Sequence, residues 1–190
     1  MKYLQVVTHH NTQIVSTADL KEHLRITFTD DDNYIEGLEK AAVHRIEEFC
    51  NTYMLETELT QYGFDINDVS ILFKSPIANS NIPVLSVYQS GSWVAQTGVE
   101  FITNAKPPRM YINNTTIGTP DSDIKQKYKV DYKVGIARLA SSLPEPLIQC
   151  IKIMVADMYE NRQSVIVGKI VSEIPRTAQY LMNPYKIQTL

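Results

Sequence analysis

The stretch "LPEPLIQCIKIMVADMYENR", Leu143 to Arg162, decides how this chain is built. Leu143-Pro144-Glu145-Pro146 starts a helix, because proline is tolerated in a first turn. Leu147, Ile148, Ile151, Met154, Val155, Met158 and Tyr159 then recur at helical spacing. Their stripe is wider than a helix facing one partner needs. Burying seven such side chains stabilises by roughly 10–20 kcal/mol before chain entropy is subtracted. A stripe this broad predicts a central helix, or one that packs both on its own fold and on a neighbouring subunit. The run closes on Tyr159-Glu160-Asn161-Arg162. Tyr159 continues the stripe with its hydroxyl at the edge. Glu160 points away and can pair with a base on another helix. Asn161 suits a left-handed helix end. Arg162 places a cation at the negative end of the helix dipole. Each residue has a structural task without any catalysis.

Working outward, Ser164 to Ile174 reads as a loop. Pro175 opens a short helix to about Met182, which Asn183-Pro184 ends. Upstream, from about Glu56 to Gly135, the pattern favours strands punctuated by Pro, Gly and Asn. The candidates are Leu59–Phe64, Ser70–Lys74, Val84–Gln89, Val99–Thr103, Arg109–Ile112 and Gln126–Val134. In the last, Tyr128, Val130, Tyr132 and Val134 share one face, and Lys127, Lys129, Asp131 and Lys133 the other. Gly91-Ser92, between Tyr88 and Trp93, reads as a hairpin turn.

The N-terminal third is helical again. Tyr3 to Val7 is a short strand or an extended arm. Ser16-Thr17-Ala18-Asp19 is a capping-box-like start for a helix over Thr17–Leu24. Thr29-Asp30-Asp31-Asp32 signals a second start, since acids face the positive end of a helix dipole. Ile35, Leu38, Ala42, Ile46 and Phe49 follow at helical spacing, with charged residues between them, to about Asn51.

The fold class is therefore α+β: N- and C-terminal helices packed as one helical core, with an inserted antiparallel β-rich block. The expected divisions are 1–52, 53–140 and 141–190, the last including a tail, all within one compact domain. Its 190 residues suit that size, and 44% hydrophobic with 21% charged residues is ordinary for a globular protein.

Net charge is −3, which gives no general attraction to nucleic acid or anionic lipid. It is unevenly spread: Asp19 to Glu58 holds eleven acids and four bases. One end acidic and another mildly basic suits charge-complementary docking. Cys50 and Cys150 each sit in an apolar helical pattern and read as small buried hydrophobes in a reducing setting. No apolar run approaches a membrane span, and no secretory segment follows Met1-Lys2.

No catalytic or cofactor constellation appears. The seven glycines are scattered and form no phosphate-cradling loop. His9-His10 are adjacent and on a strand point to opposite faces, so they do not chelate one ion together. Asp30-Asp31-Asp32 lacks the glycine of a calcium loop, with Ile35 in that place. Asp121-Ser122-Asp123 reads as a turn. A helix–turn–helix over Thr17–Asn51, with Lys21 and Arg25 as its bases, is opposed by the acids that open its second helix. The lysine face of Gln126–Val134 reads as solvated and edge-protecting.

Taken in order, three segments carry a resemblance. "STADLKEHLRITFTDDDNYIEGLEKAAVHRIEEFC" (16–50) resembles the opening of the head–tail connector (adaptor) proteins of long-tailed bacteriophages. "IPVLSVYQSGSWVAQTGVEFIT" (82–103) resembles the β insertion of longer members. "LPEPLIQCIKIMVADMYENRQSVIVGKIVSEIPRTAQYLMNPYK" (143–186) resembles their C-terminal pattern: a Pro-started helix ending Tyr-Glu-Asn-Arg, a Gly-containing loop, and a Pro-started helix closing on Asn-Pro-Tyr. Where the family often has a glycine-rich turn before that helix, "KVGIARLASSLPEP" has one glycine. Pro107-Pro108 and the Asn/Thr stretch 113–119 also depart from the pattern.

The resemblance implies a structural virion protein and no enzyme, with no cofactor and no metal. It implies a homo-oligomeric ring, a dodecamer matching the portal, at the head–tail junction of the virion, made in the host cytoplasm. The implied partners are the portal protein, a stopper or tail-completion protein, and further copies of the chain. DNA is met only as it passes through the channel, and there is no membrane. Subunit-interface candidates are Glu36, Glu39, Arg45, Leu147, Ile151, Met158, Glu160 and Arg162. Portal-docking candidates are Tyr180, Leu181, Tyr185, Ile187 and Leu190. The alternatives are a stopper or tail-completion protein, or a DNA-binding regulator using residues 17–51.

Overall fold

The structure, a computed structural model, describes residues 3–8, 12–74, 82–105, 107–112, 117–122, 124–161 and 174–187. His9-His10, Arg162, Leu190 and most of the 164–174 loop lie outside them. The chain is mixed α and β and divides into two compact units. One comprises Met1–His10, Asn51–Arg138 and Ile187–Leu190; the other comprises Asn11–Cys50 and Leu139–Lys186. Strand 3–8 falls in the first of these units.

The helical unit contains α1 (Thr17–Leu24), α2 (Asp32–Cys50), α4 (Glu145–Glu160) and α5 (Arg176–Met182). Helix α1 begins where its cap directs: the Ser16 hydroxyl accepts from the Asp19 amide at 3.1 Å. It stops at Arg25, whose φ of 58° turns the chain left-handed. Helix α4 packs against α1, α2 and α5. Leu147, Cys150, Ile151 and Val155 are fully buried, with Met154 nearly so. Three helical neighbours cover the middle of the stripe, while Ile148, Met158 and Tyr159 stay half-buried. At its end Asn161 is not left-handed (φ −102°). Its side-chain Nδ2 instead donates to the Asp157 carbonyl at 3.0 Å and carboxylate at 3.1 Å, holding the last turn closed.

The β unit holds an antiparallel five-stranded sheet in the order β1-β2-β7-β3-β4, from Tyr3–Thr8, Thr57–Gly63, Tyr128–Val134, Val84–Gln89 and Ser92–Ala95. A separate ribbon pairs β5 (Val99–Ile102) with β6 (Arg109–Ile112). Leu59, Leu85, Val130, Tyr132 and Val134 form the core with Val69, Leu72 and Met110. The alternation read in 126–134 is the observed one, with Val130, Tyr132 and Val134 buried.

Three expectations are corrected. Residues 70–74 are not a strand. The Asp65/Asp68 capping box builds one helical turn, α3 (Ile66–Val69), just before them. Only Ile71 then bridges, to Arg109. Buried Gln61 holds this segment, donating to the carbonyls of Asp68 and Ile71 at 2.9 Å and accepting from the Phe73 amide at 3.1 Å. The hairpin turn is Ser90-Gly91, one residue earlier than read, with Ser92 paired to Gln89. Both turn residues have positive φ (51° and 81°), as a two-residue hairpin requires. Finally, β7 is the central strand, so its lysines protect no edge.

The single glycine of "KVGIARLASSLPEP" sits where the chain leaves β7. A Cβ added to Gly135 lies 2.7 Å from the Glu56 amide nitrogen and 2.8 Å from Leu55 carbonyl carbon, both backbone. Backbone cannot swing aside as a flexible side chain can. Gly135→Ala is expected to lower unfolding stability by about 2 kcal/mol, in the range of over-packing a close contact. Urea denaturation of the two proteins measures it, and an unchanged midpoint refutes the close-approach account.

Candidate docking surfaces

The acid-rich turn before α2 serves the helical unit from within. Asp32 opens α2 and bridges Lys21 of α1 at 2.7 Å. The Asp31 carboxylate accepts from the Tyr159 hydroxyl of α4. The Tyr34 ring lies 6.1 Å from that of Tyr159. Tyr159, read as the end of the apolar stripe with its hydroxyl at the edge, ties the C-terminal end of α4 to the N-terminal end of α2. A negative group at a helix N-terminus is favourable, and its bond to a phenol holds it there.

Glu39, on the buried side of α2, is 1% exposed. Its Oε1 accepts from the amides of Ile14 (2.9 Å) and Val15 (3.3 Å), fixing the segment that leads into α1. Burial holds its carboxyl above the usual glutamate range, against the lowering effect of those two amides. Cys50 and Cys150 are buried free thiols. Burial pushes them up to about 11 and about 12. Their Sγ atoms lie 3.9 Å from the Met182 carbonyl and 3.7 Å from the Ala178 carbonyl, against α5.

These placements sort the interface candidates. Glu39, Leu147 and Ile151 are buried inside their own unit. Their tasks are internal, so as surface residues they are corrected. Glu36, Arg45 and Glu160 are exposed, and Met158 is half-buried. Two of these come together: a groove of about 390 Å³ is lined by Ala41, Arg45, Met154, Asp157, Met158, Ile174 and Pro175. Of the portal candidates, Ile187 is buried, Leu181 and Tyr185 are half-buried, and Tyr180 is 74% exposed.

On the β unit, the lysine face of β7 is largely neutralised. Lys133 pairs with Glu58 at 2.6 Å and Glu56 at 3.5 Å, and Lys129 with Asp131 at 2.8 Å. Lys127 lies 4.4 Å over the Phe64 ring. The same face carries a row of rings, Tyr3 stacked on Tyr62 at 4.8 Å and Trp93 edge-on to Tyr88 at 5.2 Å. A face so paired offers little net charge to phosphate. Asp121, read as a turn residue, accepts from the amides of Ser90 and Gly91 at 3.1 and 3.2 Å and so holds the hairpin. The sequence carried no signal for that long-range bond, nor for Tyr159 to Asp31.

Residues 15–78 match the model of the phage gp6-like head–tail connector protein family. That segment is similar to the head–tail connector family. The match spans α1, the acid-rich turn, α2 and β2, and so includes the first segment on which the resemblance rested. Three solved structures share the whole fold. A chain in the neck of an empty GTA particle, computed with C6 symmetry, has a TM-score of 0.78 at 18% identity, covering 99% of this chain and 97% of that one. A chain of the native gene transfer agent virion has a TM-score of 0.74 at 17% identity, covering 98% and 96%. One in the native neck computed with C12 symmetry has 0.74 at 16%, covering 99% and 97%. No curated protein matches in sequence.

Two measurements test the internal ties of this connector-like chain. Glu39→Ala leaves two buried amides without an acceptor and is expected to cost about 2 kcal/mol. Glu39→Gln keeps the accepting oxygen and is expected to cost far less. Because the folded-state pKa of Glu39 is raised, its contribution to stability is full below the ordinary value of 4.5 and is lost as pH rises through the folded value. Wild type should therefore gain on Glu39→Gln as pH falls from neutral, read by denaturation at several pH values. An opposite slope defeats the assignment. Tyr159→Phe keeps the ring and loses the bond to Asp31. The expected loss is about 1.5 kcal/mol, measured by thermal melting, and no shift in midpoint defeats it.

Proposed function

We propose that this chain is a subunit of the adaptor ring between head and tail of a virion, seated beneath the portal and extending the DNA channel. The observation that carries the reading is the connector-family match over residues 15–78, within a fold that is similar over its full length to chains of particle necks. The C6 and C12 symmetries of those necks support a homo-oligomeric ring, and twelve is the proposed count. The ring is a virion component at the head–tail junction, assembled in the host cytoplasm. Its task is structural and needs no catalytic residue.

Within the ring, the exposed parts of α2 and the end of α4, with Glu36, Arg45, Met158 and Glu160, supply contacts to neighbours. The segment after α5, from Tyr185 to Leu190, is the portal-facing part. It contains no acid, which suits insertion into a partner's groove. Tyr180 stands apart because it lies on α5 itself. The opposite face meets a stopper or tail-completion protein. The chain itself is less suited to the stopper role, for which a mostly β protein is expected, since helices form one of its two units. Of the two bases a DNA-binding regulator would use, Lys21 is already paired with Asp32.

Electron microscopy of the protein mixed with its portal tests the reading. The expected result is one added ring of density at the portal's narrow end. Portal particles that gain no density at saturating protein defeat it.

A further inference from the structure

The most exposed aromatic ring of the helical unit is Tyr180, 74% accessible on α5. Arg176 stands one turn before it and is also exposed, so the two share one outer face. Residues 174–187 contain Arg176 and Lys186 and no acid. The same unit carries a hollow of about 410 Å³ between α1 and the first residue of α2, lined by Thr17, Ala18, Lys21, Glu22, Ile26 and Asp32. Its surroundings are acidic: residues 16–34 hold five acids and two bases. Lys21 in the wall is already bridged to Asp32, while Glu22 and nearby Asp19 are exposed.

Knob and hollow lie at opposite ends of α2. Helix α5 meets its C-terminal end, where Lys186 lies 4.5 Å over the Phe49 ring and Cys50 approaches the Met182 carbonyl. The hollow includes Asp32, at the N-terminal end. Seventeen residues of helix separate Asp32 from Phe49, about 25 Å at the α-helical rise. A basic, aromatic surface at one end and an acidic hollow at the other cannot pair within one copy. They are complementary between copies, head to tail, and a head-to-tail contact closes into a ring when its rotation permits.

We propose that Tyr180 of one copy seats in the hollow beside Ala18 and Ile26 of the next, with Arg176 against Glu22 at the rim. The inference rests on the ring reading above and names a contact that would build the ring. Tyrosine suits the role, since its ring buries apolar area while its hydroxyl stays at a polar edge. The partner is thus a second copy of this chain.

The test uses full-length protein carrying Tyr180→Cys or Ala18→Cys. Both native cysteines are buried and do not compete for a surface disulfide. Each variant alone should stay uncross-linked on oxidation, and a mixture of the two should give a covalent dimer. The double variant should give a ladder of higher oligomers, because a head-to-tail contact propagates. No dimer from the mixture overturns the proposal, as does a double variant that stops at dimer. In parallel, Arg176→Glu should weaken self-association by roughly tenfold or more, and adding Glu22→Arg should restore it. Failure of that rescue also counts against the contact. Tyr180→Ala that forms rings normally but loses the portal assigns Tyr180 to the portal instead. Ring density on the portal without the cross-link sinks only this contact. Absence of ring density sinks the adaptor reading itself.

Discussion

Burial of α4 by three helices at once is the constraint on which the helical unit depends. One short helix supplies the apolar surface against which α1, α2 and α5 all close. Two of those three are otherwise weakly held: α1 has 8 residues and α5 has 7, both too short to persist alone in water. Polar ties then fix their positions around that core. Asp31 accepts from Tyr159, Asp32 bridges Lys21, and Glu39 gathers the amides that lead into α1. The hydrophobic term sets which helices meet, and the few charged groups set where along each other they meet.

The two units spend their acids differently. In the helical unit, Asp19, Asp31 and Asp32 sit at helix starts and Glu39 lies deep against backbone amides. In the β unit, Glu56 and Glu58 lie beside the lysine of a neighbouring strand, and Asp131 beside one on its own strand. Those pairs are partly exposed and contribute little stability each. Their larger effect is to cancel a lysine row that would otherwise favour phosphate. The acidic excess left over is concentrated where α1 turns into α2. Charge is thus largely cancelled on the sheet and uneven along the helices.

How much of this was legible in the sequence varied with the range of the interaction. Helix α1 was read at its observed ends, because Ser16 and Asp19 are neighbours in sequence and the cap is local. Strands β3 and β6 were also read at their observed bounds from alternation and flanking breakers. The sequence also showed that the stripe of α4 was over-wide, but not which partners covered it, since α1 and α2 lie far upstream in the chain. Strand 70–74 was misread because its apolar pattern was right for burial while Gln61, ten residues upstream, decided its conformation. Asp31 looked like a cap, and its bond to Tyr159 spans 128 positions. Glu39 looked like one more outer-face acid, because periodicity places a residue only approximately around a helix and says nothing of an amide waiting inside.

The division of the chain between the two units has a consequence for synthesis. Neither unit is one continuous stretch: the backbone passes from one to the other after residues 10, 50, 138 and 186. Strand β1 leaves the ribosome first, yet its pairing partner β2 starts at Thr57, and the next strand, β7, at Tyr128. Helix α2 must wait for α4, almost a hundred residues later. Contacts of such long sequence separation are slow to form, because loop closure has to precede any gain. A nascent chain cut short before β7 therefore presents open sheet edges, and one cut short before α5 presents open helix faces. The helical unit can therefore close only after α5 has been made.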